Sequence, residues 1–153
     1  MSHTALLIID VQAGLFAKAA PIYRGDALLA NINALIAGAR AAGAPVIFVQ
    51  HAGAGLPYGS DAWLLHPALA VAAGDLRIEK RSASAFKDTP LLATLAGAGI
   101  TDVVACGLVT HGCVRTTCLD GAAHGLRMIL AGDAHSSWAR DAAAKIESCH
   151  AAM

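Results

Sequence analysis

Hydrophobic and polar positions along the chain fall into two alternating rhythms. Short apolar runs occur at Ala5–Asp10 ("ALLIID"), Pro45–Gln50 ("PVIFVQ"), Leu76–Lys80 ("LRIEK"), Asp102–Gly107 ("DVVACG") and Arg127–Asp133 ("RMILAGD"). Several are apolar nearly throughout, the pattern of strands covered on both faces of a parallel sheet. Between them the apolar positions take a helical period. Leu28, Ile32, Leu35, Ile36 and Ala39 share one face of a helix that starts near Asp26 and stops at Gly43, ahead of Pro45. Thr89 and Pro90 mark the cap and first residue of a second helix. A third runs from about Cys113 to Gly125, and a fourth starts near Ser137 with Trp138, Ala142, Ile146 and Cys149 on one stripe.

Strands alternating with helices predict crossover units. The expected fold is α/β: a three-layer, mostly parallel, Rossmann-like sheet of about five strands with helices on both faces. A single domain over residues 1–153 accommodates it. The segment from His51 to Gly74 fits neither rhythm. Rich in Gly and Pro and carrying Tyr58 and Trp63, it reads equally as a pocket wall or as a loop packed by its own aromatics.

Composition narrows the function. Hydrophobic residues make up 56% of the chain and charged residues 14%, with Lys+Arg and Asp+Glu at 11 each. A formally neutral surface offers no basic field for a phosphate backbone, so no nucleic-acid partner is expected. The same neutrality in so apolar a chain favours a homo-oligomer, a dimer or tetramer. The opening "MSHTALLIIDVQ" has no basic start and its apolar run ends at Asp10, so neither a signal peptide nor a membrane span is expected, and the location read from it is cytoplasmic. There the four cysteines are expected as thiols, with Cys106 and Cys149 as small core residues.

Chemistry enters through the strand ends. In a parallel sheet all strands finish on one edge, and ligands bind outside it. Asp10 ends the first strand, Lys80 ends the third, and Cys113 follows the fourth in "CGLVTHGCVRTTC". Singly, the aspartate reads as a local cap, the lysine as part of a solvated "EKR" turn and the cysteine as a core residue. Together they place a carboxylate, an ammonium and a thiol at one rim. Gly107 and Gly112 permit a sharp turn before the thiol. A thiol at a helix N-terminus beside a lysine is expected to have a lowered pKa, and the free N–H groups there suit a substrate oxyanion.

"DVQ" at Asp10–Gln12, "KRSASAF" at Lys80–Phe86 and "GLVTHGCVRTT" at Gly107–Thr117 resemble the three signature blocks of the isochorismatase-like cysteine hydrolase superfamily. That group includes nicotinamidases, N-carbamoylsarcosine and biuret amidohydrolases, and isochorismatase itself. The likeness runs from Leu6 to about Ile146 and includes "DAHSSW". It implies a catalytic triad of Asp10, Lys80 and Cys113, acting on a small-molecule substrate. It also implies a cis peptide at Leu108–Val109, an oxyanion hole from the Val109 and Cys113 N–H groups, and a Thr110 hydroxyl that steadies the turn. Gln12, Trp63, Phe86 and Thr110 are the substrate-side candidates that follow from it. A sixth strand is usual in the superfamily, so the edge of the fifth is expected to need cover from the last helix or another subunit.

Nicotinamidases carry an Asp-x-His pair after the second strand. Here that place reads "VQHAGAGLPYG", where His51 has no carboxylate two residues before it and only His66 downstream. No metal and no cofactor are therefore expected, and His51 reads as structural. His135 also reads as structural, while the role of His111 stays open. Cys118 lies roughly 140° around a helix from Cys113, poorly placed to pair with it. The expected activity is metal-independent, cysteine-nucleophile hydrolysis of a small amide or ureido C–N bond through a thioester. The alternatives are vinyl ether hydrolysis of the isochorismatase type, or a non-catalytic binding or redox-sensing member.

Overall fold

The computed structural model describes residues 3–138, 142–144 and 146–147. In chain order the elements are β1 (Thr4–Ile9), the single turn α1 (Ala13–Phe16), α2 (Gly25–Ala41), β2 (Val46–His51), β3 (Leu76–Lys80), α3 (Leu91–Gly97), β4 (Asp102–Leu108), a π turn (Thr110–Val114), α4 (Arg115–Ala123) and β5 (Arg127–Ser136). The strands form one parallel sheet in the order β3-β2-β1-β4-β5. The strand order reverses between β1 and β4, the switch point where parallel α/β sheets bind ligands.

Alternation along the strands divides the core in two. Leu6, Ile8, Val46, Phe48 and Cys106 face α2, whose Leu28, Leu29, Ile32 and Ile36 close one side. Ala5, Leu7, Ile9, Ile47, Val49, Val103 and Ala105 turn the other way, onto Leu91 and Leu95 of α3 and Cys118 of α4. Ile32 and Ile36 are fully buried, each worth about 1.5–3 kcal/mol of hydrophobic stabilisation. The expected three layers, with helices on both faces, are those observed.

Three elements differ from the sequence pattern. The expected helix from Cys113 to Gly125 is a π turn followed by α4, because Gly112 (φ −111°, ψ −117°) leaves helical space inside the turn. Strand β5 continues past Asp133 to Ser136. Its register against β4 shifts between Ala105 and Gly107, so His135 pairs opposite Gly107 and the strand passes the irregularity. In the 89–97 region Pro90 is the cap and Leu91 the first helical residue, with the Leu91 N–H donating to the Thr89 hydroxyl at 3.3 Å. Beyond β5, residues 142–144 and 146–147 are helical and Ala142 is buried; Cys149 lies outside the described residues.

The long β2–β3 connection carries only isolated bridges, Gly53 with Leu56 and Leu65 with Gln12. Tyr58 and Trp63 pack ring to ring at 4.8 Å within it. Among the described residues no helix is long and apolar enough to cross a membrane.

Candidate active site

The ends of β1 and β4 meet at a backbone contact that only glycine permits. Gly107 has φ +118°, and a Cβ there would stand 2.1 Å from the Ile9 carbonyl oxygen. This close approach sets the turn that follows β4 directly against Asp10, the residue after Ile9. Asp10 itself adopts φ +55°, a left-handed conformation that aspartate tolerates better than most residues. Its N–H donates to the Val49 carbonyl at 3.0 Å, which locks the strained residue to β2.

Lys80 closes β3 and pairs in register with His51 at the end of β2. Its side chain is wholly buried, and Nζ reaches Asp10 Oδ2 at 3.0 Å. The same Nζ lies 3.2 Å from Cys113 Sγ, 2.9 Å from the Ser82 carbonyl oxygen and 3.0 Å from His51 Nδ1. The carboxylate, ammonium and sulfur drawn from three separate parts of the chain therefore share one neighbourhood. Asp10 is 3% exposed and Lys80 2%, whereas Cys113 and His51 are part-exposed and give the cluster its access to solvent.

Burial raises the Asp10 pKa above its ordinary value, and the Lys80 charge pulls it back only in part. Oδ1 of Asp10 is buried with no hydrogen-bond partner among the described residues. The side chains of Asp10 and Cys113 also interact directly; like the Lys80 charge, this contact acts to lower the Asp10 pKa, and it raises that of the thiol. The thiol of Cys113 is pushed up to about 11, first by burial and then by the Asp10 charge, against the opposing pull of Lys80. This corrects the expectation of a lowered thiol pKa. The helix proper begins at Arg115, beyond the π turn, and the neighbouring carboxylate together with desolvation outweighs the ammonium. Burial and the Asp10 charge both favour the protonated form of this sulfur.

The peptide between Leu108 and Val109 is cis. The Thr110 hydroxyl, fully buried, bonds His135 Nδ1 at 2.9 Å across to β5, so His135 supports the turn that carries the thiol. Gln12 is also fully buried and its amide is spent on main chain: Nε2 donates to the His51 and Trp63 carbonyls at 3.0 and 2.8 Å, and Oε1 accepts from the His51 N–H at 2.9 Å. Gln12 thus ties the β2–β3 connection to the end of β1. Trp63 is half-buried, and its indole N–H is buried without a partner among the described residues. Phe86 is 7% exposed and belongs to the apolar cluster against which Cys113 packs. His111 is exposed.

From the sequence, His51 is weighed as a metal ligand and reads as structural, and its place beside Lys80 goes unseen. Its signal was positional: it ends β2 as Lys80 ends β3, and parallel pairing makes the two neighbours on one rim. Asp10, His51 and Cys113 place three potential ligand atoms within 4.8 Å of one another. Lys80 Nζ already stands 3.0–3.2 Å from all three, so this is the coordination of an ammonium. Cys106 and Cys118 are buried thiols in opposite cores, with no disulfide among the described cysteines.

The isochorismatase domain model matches residues 4–148. Streptothricin hydrolase of Streptomyces noursei is 34% identical over 139 residues, a stretch covering 88% of this chain and 54% of that protein. Maleamate amidohydrolase of Pseudomonas putida is 31% identical over 156 residues, covering 86% and 73%. A crystal structure of an isochorismatase family protein superposes with a TM-score of 0.94 at 34% identity, covering 99% of this chain and 93% of that one. The chain spans about half the length of the streptothricin hydrolases it matches. With the family model covering nearly all of it and the parallel sheet shared with solved members, the chain belongs to the isochorismatase family.

Proposed function

We propose that the protein is a cysteine hydrolase that cleaves a small amide or ureido C–N bond through a thioester. The observation that carries this reading is one buried ammonium within 3.0–3.2 Å of both the Asp10 carboxylate and the Cys113 sulfur. Asp10, with its raised pKa, takes the thiol proton as sulfur attacks the carbonyl. The developing oxyanion is received by the Val109 and Cys113 N–H groups of the turn. Asp10 then returns the proton to the departing nitrogen, the C–N bond breaks, and a thioester remains on Cys113. Water, deprotonated by Asp10, attacks that thioester, and the acid leaves as the thiol is restored.

Lys80 balances charge throughout, because negative charge passes from carboxylate to sulfur and back within its reach. The names of relatives support C–N cleavage: streptothricin hydrolase and maleamate amidohydrolase are both hydrolases, and the second is named for an amide. A thiol at the centre of the cluster favours acyl transfer over vinyl ether hydrolysis, which needs no sulfur nucleophile. Trp63, whose indole N–H has no partner among the described residues, and Phe86, which lies in the apolar cluster beside Cys113, are the side chains we assign to the substrate. No metal takes part in this reading.

Ammonia or amine release from a panel of small amides and ureido compounds tests it. Cys113→Ala is expected to lower turnover by about 10³-fold or more, and Asp10→Asn to do the same. Amide turnover that survives Cys113→Ala would overturn the thioester route. A vinyl ether hydrolysed equally by the parent and Cys113→Ala, with no amide turned over by either, would move the assignment to vinyl ether chemistry.

A further inference from the structure

Lys80 has more neighbours than protons. An ammonium carries three N–H bonds and no lone pair. Four acceptor atoms stand around Nζ: Asp10 Oδ2, His51 Nδ1, the Ser82 carbonyl oxygen and Cys113 Sγ, all between 2.9 and 3.2 Å. They fall into two kinds. The Ser82 carbonyl and the His51 ring keep their charge during the hydrolysis described above. Asp10 and Cys113 exchange theirs, because when the thiol proton moves to the carboxylate the negative charge moves to sulfur.

We propose that His51 is a positioning residue of this site: its unprotonated Nδ1 and the Ser82 carbonyl anchor two N–H bonds of Lys80, leaving the third to follow the negative charge between Asp10 and Cys113. The inference rests on the cysteine-hydrolase reading and adds a residue to it. With two fixed anchors the ammonium need only reorient one hydrogen bond as the charge crosses. Without the histidine, Nζ has one neutral anchor and settles on whichever partner is charged in the resting state, which is Asp10. The thiolate would then form without its counter-charge in place.

The local structure supports the assignment. His51 and Lys80 are register partners at adjacent strand ends, so the ring is held beside the stem of the lysine by the sheet itself. Its main chain is clamped by Gln12, which accepts from the His51 N–H and donates to the His51 carbonyl. Because Lys80 can only donate, Nδ1 is the acceptor and the ring proton sits on Nε2. Burial and the Lys80 charge hold the imidazole below its usual range, which keeps the Nδ1 lone pair free near neutrality.

Two variants and two measurements test this. Asparagine places Oδ1 two bonds from Cβ, as histidine places Nδ1, and accepts a hydrogen bond without ionising; leucine fills similar space and accepts none. His51→Leu is expected to lower kcat for amide hydrolysis by about 10- to 100-fold with KM within about twofold, and His51→Asn to recover kcat to within about threefold of the parent. A merely structural histidine would lower folded yield and leave kcat per folded molecule unchanged. A His51→Leu kcat equal to the parent's, or a His51→Asn loss as large as that of leucine, overturns the proposal. If the leucine variant does not fold, the asparagine variant decides alone: a kcat loss of about tenfold or more sinks the anchor. Iodoacetamide alkylation of Cys113 needs no substrate, so it separates this proposal from the hydrolase reading. Alkylation is expected to slow in His51→Leu and recover in His51→Asn, and unchanged rates overturn the anchor even if no amide is turned over.

Discussion

At the residue scale, the site works by opposing charges that each hold a neighbour away from its ordinary ionisation. Asp10 is the clearest lever. Its charge raises the Cys113 pKa, and Lys80 lowers it. Removing the carboxylate therefore has effects of opposite sign on reactivity and on catalysis. In Asp10→Asn the thiol ionises at lower pH, so alkylation of Cys113 by iodoacetamide at fixed mildly alkaline pH is expected to be faster than in the parent, while hydrolysis is lost with the proton carrier. In the parent, the alkylation rate should climb with pH until about 11, and the Asn curve should lie at lower pH. Peptide mapping by mass spectrometry distinguishes Cys113 from the buried Cys106 and Cys118. A parent and variant with superimposable curves would show that the carboxylate does not act on the sulfur.

The same scale shows what could be read without coordinates. Asp10, Lys80 and Cys113 were each legible as chemistry-bearing types at the ends of apolar runs. His51 was not, because a search for metal-type spacing tests neighbours in sequence, whereas its partner lies across a strand pair. The direction of the thiol shift was also out of reach. It depends on a balance of burial, a carboxylate and an ammonium whose distances are set by three separate elements.

At the element scale, the close approach of β4 to β1 is what delivers the thiol to the acid. Gly107→Ala would push a Cβ into the Ile9 carbonyl, where backbone cannot yield, and would also strain a left-handed residue. A loss of about 3 kcal/mol or more is expected, about 10 °C in melting temperature for a chain of this size, together with lost activity. Gly121→Ala is the control. A Cβ there would stand 2.4 Å from Met128 Sδ, but that atom lies near the end of a flexible side chain, and a cost of about 1 kcal/mol is expected. Equal melting temperatures for the two variants would mean that the Ile9–Gly107 contact is not what holds the turn. The elements themselves were largely legible, since buried parallel strands and amphipathic helices leave strong periodic signals. Gly107 and Gly112 marked a turn before the thiol, but the π form of that turn and the extension of β5 left no periodic signal. The first follows from the non-helical backbone at Gly112, the second from the register shift that sets His135 opposite Gly107.

At the scale of the whole molecule, zero formal net charge gives no electrostatic bar to self-association. Tyr58, Leu64 and Leu119 are large apolar side chains left 62%, 46% and 46% exposed. We expect a homo-oligomer, with light scattering on a sizing column giving a multiple of the 15.5 kDa chain mass. A monomer at micromolar concentration would remove that expectation without touching the Asp10–Lys80–Cys113 cluster, all of whose groups come from one chain.

The amino-acid order by itself determined the layers of this protein and the kinds of reactive group at its rim. Hydrophobic period is a local property, and a strand end is visible wherever an apolar run stops. Only the tertiary structure decided which strand ends became neighbours, that His51 stands against Lys80, and that burial and the Asp10 charge outweigh Lys80 in pushing the thiol pKa up. The physical reason is that these outcomes depend on distances of a few ångströms between groups far apart in the chain, and on how completely the surrounding core removes them from water.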